Sequence, residues 1–447
     1  MCRSYGLLFT FAFFLLGNAL WAQQRPAAPL YLTVERIEIR GNHKTRPEVI
    51  RRYLAFRRGD AVHSGILERS WERLAQTNFF KRVDIFTRPG SKKGRIVVVV
   101  EVEERKWPYF QFEGGHSDLD GWYFVPISFR FDNLFGRGNF ASLRLYYGDR
   151  ISKVSLSFSN PSVFDDFGYL DLEAYGGERR FIHYINAREL EQRVEISGVN
   201  LRFGGNHGLF KYLFFGWRSQ MFRPAREARF TGTDSTLPAW LFPSPLKTDL
   251  MPLKIASFSL GLHADFRDHQ LYPTRGLWGV IMYEKADEEL GSQRDFDRFL
   301  VDLRLYQRLF GQSVLALHGK WGYTTREAPF YQRFYLAGAN SLRGYSERRL
   351  TPVGYGSQLF LGQVEFRFPF STRKTSNPKA VGVLFFDTGG IWLPDQAPHY
   401  LDFFRAVGFG FRLRLPIVGL TRLDFAFPLI KFEEKDFKLH LSLGHAF

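Results

Sequence analysis

From residue 106 to residue 447 the chain alternates apolar and polar residues in runs of strand length, and nothing else in the sequence restricts its fold as strongly. "IASFSLGLHADFRD" sets Ala256, Phe258, Leu260, Leu262, Ala264 and Phe266 on one face, with Ser257, Ser259, His263, Asp265 and Arg267 on the other. "RFLVDLRLY", "AVGFGFRLRLP" and the closing "KLHLSLGHAF" repeat the scheme. A soluble sandwich would turn its apolar faces onto a second sheet. Here the polar face is crowded with charge in run after run, which fits apolar side chains on lipid and polar ones in a wet lumen. Backbone groups in a bilayer are satisfied only if such a sheet closes. The expected fold is therefore a transmembrane β-barrel of about 16 antiparallel strands, starting near residues 108, 121, 139, 152, 168, 190, 208, 255, 276, 296, 312, 356, 380, 405, 420 and 437. Short connections such as "DNLFGRGN" and "LFGQS" should face the periplasm, and long ones such as 222–254 and 329–355 the exterior. Apolar parity switches around Gly198, where a bulge is expected.

Composition supports this reading. There are 48 Phe, 20 Tyr, 9 Trp and 41 Gly, yet mean hydropathy lies slightly below zero. The excess of 61 Lys and Arg over 45 Asp and Glu suits anionic lipid, lipopolysaccharide or a basic channel. No basic block carries a nucleic-acid motif, so no nucleic-acid partner is expected.

Residues 1–22 read as a signal peptide, with Arg3, an apolar core from Leu7 to Leu16, and Ala22 before Gln23. The alternative is a membrane anchor, for which the apolar run is short. Cys2 is the only cysteine, so a mature chain needs no disulfide. Residues 23–30 read as a linker. Residues 31–105 run strand, helix, helix, strand, strand, enough for a small α+β module with a three-stranded sheet. Trp71 is expected on the buried face of the second helix with Ile66, Leu67, Leu74 and Ala75. The exposed edge of so small a sheet is either a cap or a place where an extended client adds a strand. Val83, Asp84, Ile85 and Phe86 are the expected client-binding edge.

One connection stands apart. "FYLAGANSLRGYSERRL" joins two alternating runs and carries Leu342, Arg343, Gly344 and Tyr345. Two readings are open: Arg343 is solvated on an outer turn, or it folds inward. Parity places Glu365 and Asp387 on adjacent strands, both facing the lumen, where they would hold an inward guanidinium in bidentate fashion.

These residues also carry a resemblance. "SLRGY" resembles the (V/I/L)RG(F/Y) loop signature of the BamA/TamA superfamily, which comprises outer-membrane assembly factors and two-partner secretion transporters. "FFDTGG" is similar to its FxDxG strand motif through Phe385, Asp387 and Gly389, and "VEFRFP" to its ExRxP-like strand. "DFRDHQLYPTRGLW", "DNLFGRGN" and "GFGFRLRLPIVGLTRLDFAFPL" also look like family segments, and residues 31–105 resemble one POTRA module. The resemblance implies that Arg343 contacts Asp387, with Glu365 close by. It also implies that the terminal Phe447 acts as a barrel-insertion signal. Assembly factors in this superfamily usually carry several POTRA modules and secretion transporters two, so a single one leaves the subfamily open.

The reading that follows is a non-enzymatic outer-membrane factor in a Gram-negative-type bacterium. Its periplasmic module would receive unfolded outer-membrane or secreted polypeptides. The barrel would part between its first and last strands, near Tyr109–Gly115 and Leu439–Phe447, with Leu441, Leu443, Gly444 and Phe447 at that seam. Periplasmic chaperones or accessory lipoproteins are possible partners, and no cofactor is expected. The alternatives are a transporter dedicated to one exported protein, an anion-preferring porin lined by Arg267, Arg304, Arg412 and Arg414, and a barrel-embedded enzyme. For the last, His263, Asp265, Asp268 and His269 lack a convincing ligand spacing, so no metal site is expected.

Overall fold

The computed structural model describes residues 31–106, 109–110, 113–164, 166–247, 249–269, 272–370, 378–399, 402–415, 419–431 and 436–443. The signal-peptide and linker assignments lie outside these residues, as do Gly444 and Phe447. The chain divides into two compact units after Arg105.

The first unit comprises β1 (Leu32–Arg40), α1 (Pro47–Tyr53), β2 (Ala61–Val62), α2 (Ser64–Gln76), β3 (Phe80–Pro89) and β4 (Arg95–Glu104), with sheet order β2-β1-β4-β3. The sheet thus has four strands where three are expected. β2 is only two residues long, too short to show periodicity. Pro47 opens α1 with its fixed φ, and the His63 side chain accepts a hydrogen bond from the Gly65 N–H to cap α2. Val34, Ile50, Leu74, Val83, Val98 and Val100 form the core. Trp71 does not join them. It is exposed, as is Ala75, and its indole N–H donates to the Val83 carbonyl at 2.8 Å. β3, which holds Val83 to Phe86, is an edge strand. Val83 turns into the core, while Phe86 is exposed.

The second unit is a closed antiparallel barrel. Its first strand has two segments, β5 (Tyr109–Phe110) and β6 (Glu113–Ser117). It continues through β7 (Gly121–Leu134), β8 (Asn139–Gly148), β9 (Ile151–Val163), β10 (Gly168–Ile185), β11 (Arg188–Gly205) and β12 (Leu213–Phe230). The short β13 (Thr236–Pro238) pairs antiparallel with the end of β12 within a long connection that also holds α3 (Ser244–Lys247). β14 (Leu253–Asp265), β15 (Gly276–Ala286), β16 (Phe296–Arg308), β17 (Val314–Thr324), β18 (Gln358–Pro369), β19 (Ala380–Trp392), β20 (Phe404–Leu415), β21 (Gly419–Pro428) and β22 (Lys438–Leu443) complete it, and β22 pairs with β5. With β5 and β6 taken as one strand and β13 as an appendage, the barrel has sixteen strands, the expected number.

The two faces separate by exposure. On β14, Phe258, Leu260 and Leu262 point outward with more than two fifths of their surface uncovered, whereas Ser257 is buried inside. Trp217, Ile281, Trp321, Leu384 and Phe409 continue this outward apolar surface on other strands. A belt of this extent is unfavourable against water and fits hydrocarbon.

β10, β11 and β12 run to 18 residues each, well beyond the ~9–11 that span a bilayer. The extra length corrects the expectation at Gly198. The pairing of β11 with both neighbours runs without a shift through Gly198, and its irregularity falls between Gln192 and Val194. Parity holds; the apolar face is what changes sides. Val199 and Leu201 are outward and exposed, whereas Leu190 and Val194 are inward and buried against loop residues Phe242, Phe330 and Tyr355. Past the bilayer, the same strand needs a polar exterior and an apolar interior.

Candidate functional site

The connection between β17 and β18, residues 325–357, enters the barrel rather than extending away from it. An isolated bridge between Phe334 and Gly356 closes its neck. Leu336, Leu342, Tyr345 and Leu350 are buried with Leu359, Leu361 and Ala406 of the wall. The path requires positive φ at Gly338 (133°) and Gly344 (92°). A Cβ at Gly344 would lie 3.0 Å from that of Ala406 on β20.

This path delivers Arg343 to the lumen with no exposed surface. Its Nε and Nη2 donate to Oδ2 and Oδ1 of Asp387, each at 2.7 Å, and its backbone N–H reaches Oδ2 at 3.1 Å. Its Nη1 donates to Oε1 of Glu365 at 2.7 Å. The guanidinium lies 3.5 Å from the centroid of the Phe385 ring, a face-on cation–π contact. Gly389, one turn of the pleat beyond Asp387, leaves room for Leu342. Of the two readings of Arg343, the structure has the inward one.

The cluster is larger than the sequence reading made it. Glu365 also accepts from Arg367 at 2.8 Å and Arg412 at 3.2 Å. Asp424 on β21 pairs with Arg412 and Arg422 and lies 3.6 Å from Arg343. Arg422 in turn donates to the Ala339 carbonyl and the Asn340 side chain of the loop. Four guanidinium groups thus surround three carboxylates away from water. Removing one partner from such an assembly leaves an uncompensated buried charge, at about 3–5 kcal/mol. Arg422 and Asp424 were missed, although they alternate with Leu423 and Phe425 in "TRLDFAF", the same parity that singled out Glu365 and Asp387.

Beyond Arg343 the loop bonds to the last strands. The Gly344 N–H donates to Nε2 of His440 at 3.1 Å, the Tyr345 hydroxyl to the Ile430 carbonyl at 2.7 Å, and Lys438 to Ser346 at 2.9 Å. It also bonds to the end of the first strand. The Asn340 N–H donates to Asp118, and its side chain to the His116 carbonyl at 3.3 Å. Glu347 meets His116 at 2.7 Å and Arg150. In the turn after β6, burial and the nearby Glu347 charge push Asp118 up to about 6. Against the opposing effect of burial, the hydrogen bond from His116 and the Arg150 charge hold Glu347 down at about 2. One loop therefore grips both flanks of the junction at which the barrel closes. At that junction Leu441 points outward and is exposed, and Leu443 pairs with Thr421 through its backbone.

Two other arginines named for a pore are compensated. Arg267 pairs with Asp265, and Arg304 with Asp302 while lying over Trp278. Asp268 accepts hydrogen bonds from Thr274 and from the Arg275 N–H within its own turn.

Comparison with known proteins gives a consistent pattern. A model of the Omp85 superfamily domain matches residues 133–447, and the POTRA model described as a surface antigen variable number repeat matches residues 32–105. The outer membrane protein assembly factor BamA of Nitratidesulfovibrio vulgaris is 25% identical over 430 residues, covering 93% of this chain and 51% of that protein. BamA of Neisseria meningitidis is 25% identical over 398 residues, covering 82% and 47%. The chain thus spans about half the length of the curated relatives it matches. Among solved structures, BamA from Haemophilus ducreyi lacking POTRA domains 1–3 superposes with a TM-score of 0.61 at 17% identity, covering 92% of this chain and 84% of that one. CdiB from Acinetobacter baumannii gives 0.55 at 15%, covering 93% and 74%.

Proposed function

Since the chain belongs to the Omp85 superfamily, we propose that it is a non-enzymatic factor of the bacterial outer membrane that passes unfolded polypeptides into or across that membrane. Its module, residues 31–105, lies in the periplasm and offers β3 to an extended client. Its barrel acts at the junction of β22 with β5 and β6. Clients are outer-membrane or secreted proteins, met with the help of periplasmic chaperones or accessory lipoproteins, in contact with lipid and lipopolysaccharide. Leu441 and Leu443 belong to the closing strand, and Gly444 and Phe447 to the C-terminal signal. Leu342, Arg343, Gly344 and Tyr345 set the loop in place, with Asp387, Glu365, Phe385 and Gly389 as its seat.

The observation that carries this reading is the fully buried Arg343 held by Asp387 and Glu365, on a loop bonded to both flanks of the closing junction. A passive anion pore has no use for a loop folded into its lumen, or for lumen arginines paired with carboxylates of its own wall. On β3, the Trp71 indole occupies the Val83 carbonyl, so a client strand that needs this acceptor must displace the indole. The reading is tested by reconstituting the chain in lipid vesicles and measuring protease-resistant insertion of an unfolded barrel client. Insertion should be faster than in empty vesicles and lost with Arg343→Ala; equal rates in all three would refute it. The dedicated-transporter alternative predicts no insertion of general clients and passage of one exported protein.

A further inference from the structure

We propose that His116, Asp118 and Glu347 form a binding site for a divalent transition-metal ion of the zinc class, joining the end of the first barrel strand to the inward loop. Among the described residues these three are the group whose ligand atoms, one from each, all lie within 4.8 Å of one another. Two come from the first strand and its turn, and the third from a loop more than two hundred residues away in sequence, so linear spacing gives no sign of them.

Three observations point to a cation. Asp118 is buried and makes no ion pair among the described residues; its one hydrogen-bond donor is the Asn340 N–H, shared between its two oxygens. A buried carboxylate without a counter-charge in contact is costly. His116 is shielded from solvent, with its side chain only 5% exposed, and its Nδ1 has no hydrogen-bond partner among the described residues. The two carboxylates together carry two negative charges, which a doubly charged ion would balance; Arg150 contacts only the far side of Glu347. The donor set selects the metal. One imidazole with two carboxylates suits zinc and its transition-metal neighbours, with water completing the shell. Calcium and magnesium favour all-oxygen sites.

The position of the ion gives it a role. Residues 344–346 of the loop bond to Ile430, Lys438 and His440 on the last-strand side, and the ion would fasten Glu347, next in line, to the first strand. Occupied, the site is a clasp across the closing junction; this second step rests on the proposed function, whereas the site itself does not.

The test uses the untagged mature chain, folded in detergent and stripped with chelator. Cobalt(II) should bind with one equivalent per chain, give visible absorption bands, and be displaced by zinc. His116→Ala, Asp118→Asn and Glu347→Gln should each weaken uptake by more than the ~10–100-fold that loss of an outer-shell partner costs. His207→Ala, a histidine exposed elsewhere, should leave uptake unchanged. Folding of each variant is read independently from its heat-dependent electrophoretic mobility. No stoichiometric uptake by the folded wild type, or equal uptake by folded His116→Ala, would overturn the site. Zinc should slow client insertion by the wild type at least tenfold more than by His116→Ala. Stoichiometric binding with no effect on insertion would leave the site standing and overturn its role as a clasp.

Discussion

Two sides of the barrel hold the same loop in opposite ways. On the side of β10, β11 and β12, the loop meets an apolar wall: its Phe330 and Tyr355 both contact Phe181 edge-on, with ring centroids 5.3 and 6.0 Å away, and Leu190, Val194 and Phe222 pack around them. On the side of β18 to β22, the loop meets ions and hydrogen bonds, through Glu365, Asp387, Asp424 and His440. Apolar burial is non-directional and scales with area, so it favours an inserted loop without specifying its position closely. Bidentate ion pairs add little net stability over a well-packed apolar substitute, but they penalise every misplacement that leaves a charge alone. The first wall supplies affinity for the loop; the second fixes where Arg343 rests, beside the junction at which the barrel closes.

The comparison is open to attack at four points, in descending order of effect. Glu365→Ala removes a carboxylate shared by three guanidinium groups and should cost about 5 kcal/mol in urea unfolding from detergent. A loss below about 1 kcal/mol would mean that water reaches the cluster. Phe330→Ala should cost about 3 kcal/mol, the lower end for a buried phenylalanine, because the protruding half of the wall is free to settle inward. It should leave the protection of Arg343 from arginine-directed reagents intact, whereas Glu365→Ala should abolish it. Gly344→Ala places a side chain at φ 92° against Ala406, with an expected loss of about 1–3 kcal/mol and a larger proportional fall in client insertion. Tyr345→Phe removes the hydroxyl bonds to Ile430 and Arg405 and should cost about 1 kcal/mol. No change in either stability or insertion would show that the apolar wall alone holds the loop.

Strand-scale features were legible in the sequence where one face meets lipid. Parity placed Glu365 and Asp387 inward because Val364 and Phe386 between them must face hydrocarbon, and the structure has both acids in the lumen. The same rule misled at Gly198, since it assumes one environment along the whole strand and β11 passes from bilayer to loop-packed interior. Trp71 misled for a related reason: helical spacing marks an apolar face, but the end of that face lies over a sheet edge whose free carbonyl attracts an indole N–H. β2 was too short to register, and Arg422 and Asp424 were legible but not used. The convergence of His116, Asp118 and Glu347 was not legible at all, because it depends on how far a long loop folds back, and local pattern does not encode that distance.

The central claim is that Arg343 and Asp387 act as one unit in fixing the loop. The direct measurement is a double-mutant cycle of Arg343→Ala and Asp387→Ala, read by equilibrium unfolding and by client insertion. The account predicts a coupling near the upper end of the ~0.5–3 kcal/mol range for contacting residues, with the double variant inserting clients no more slowly than either single one. Additive losses, in stability and in insertion alike, would contradict it.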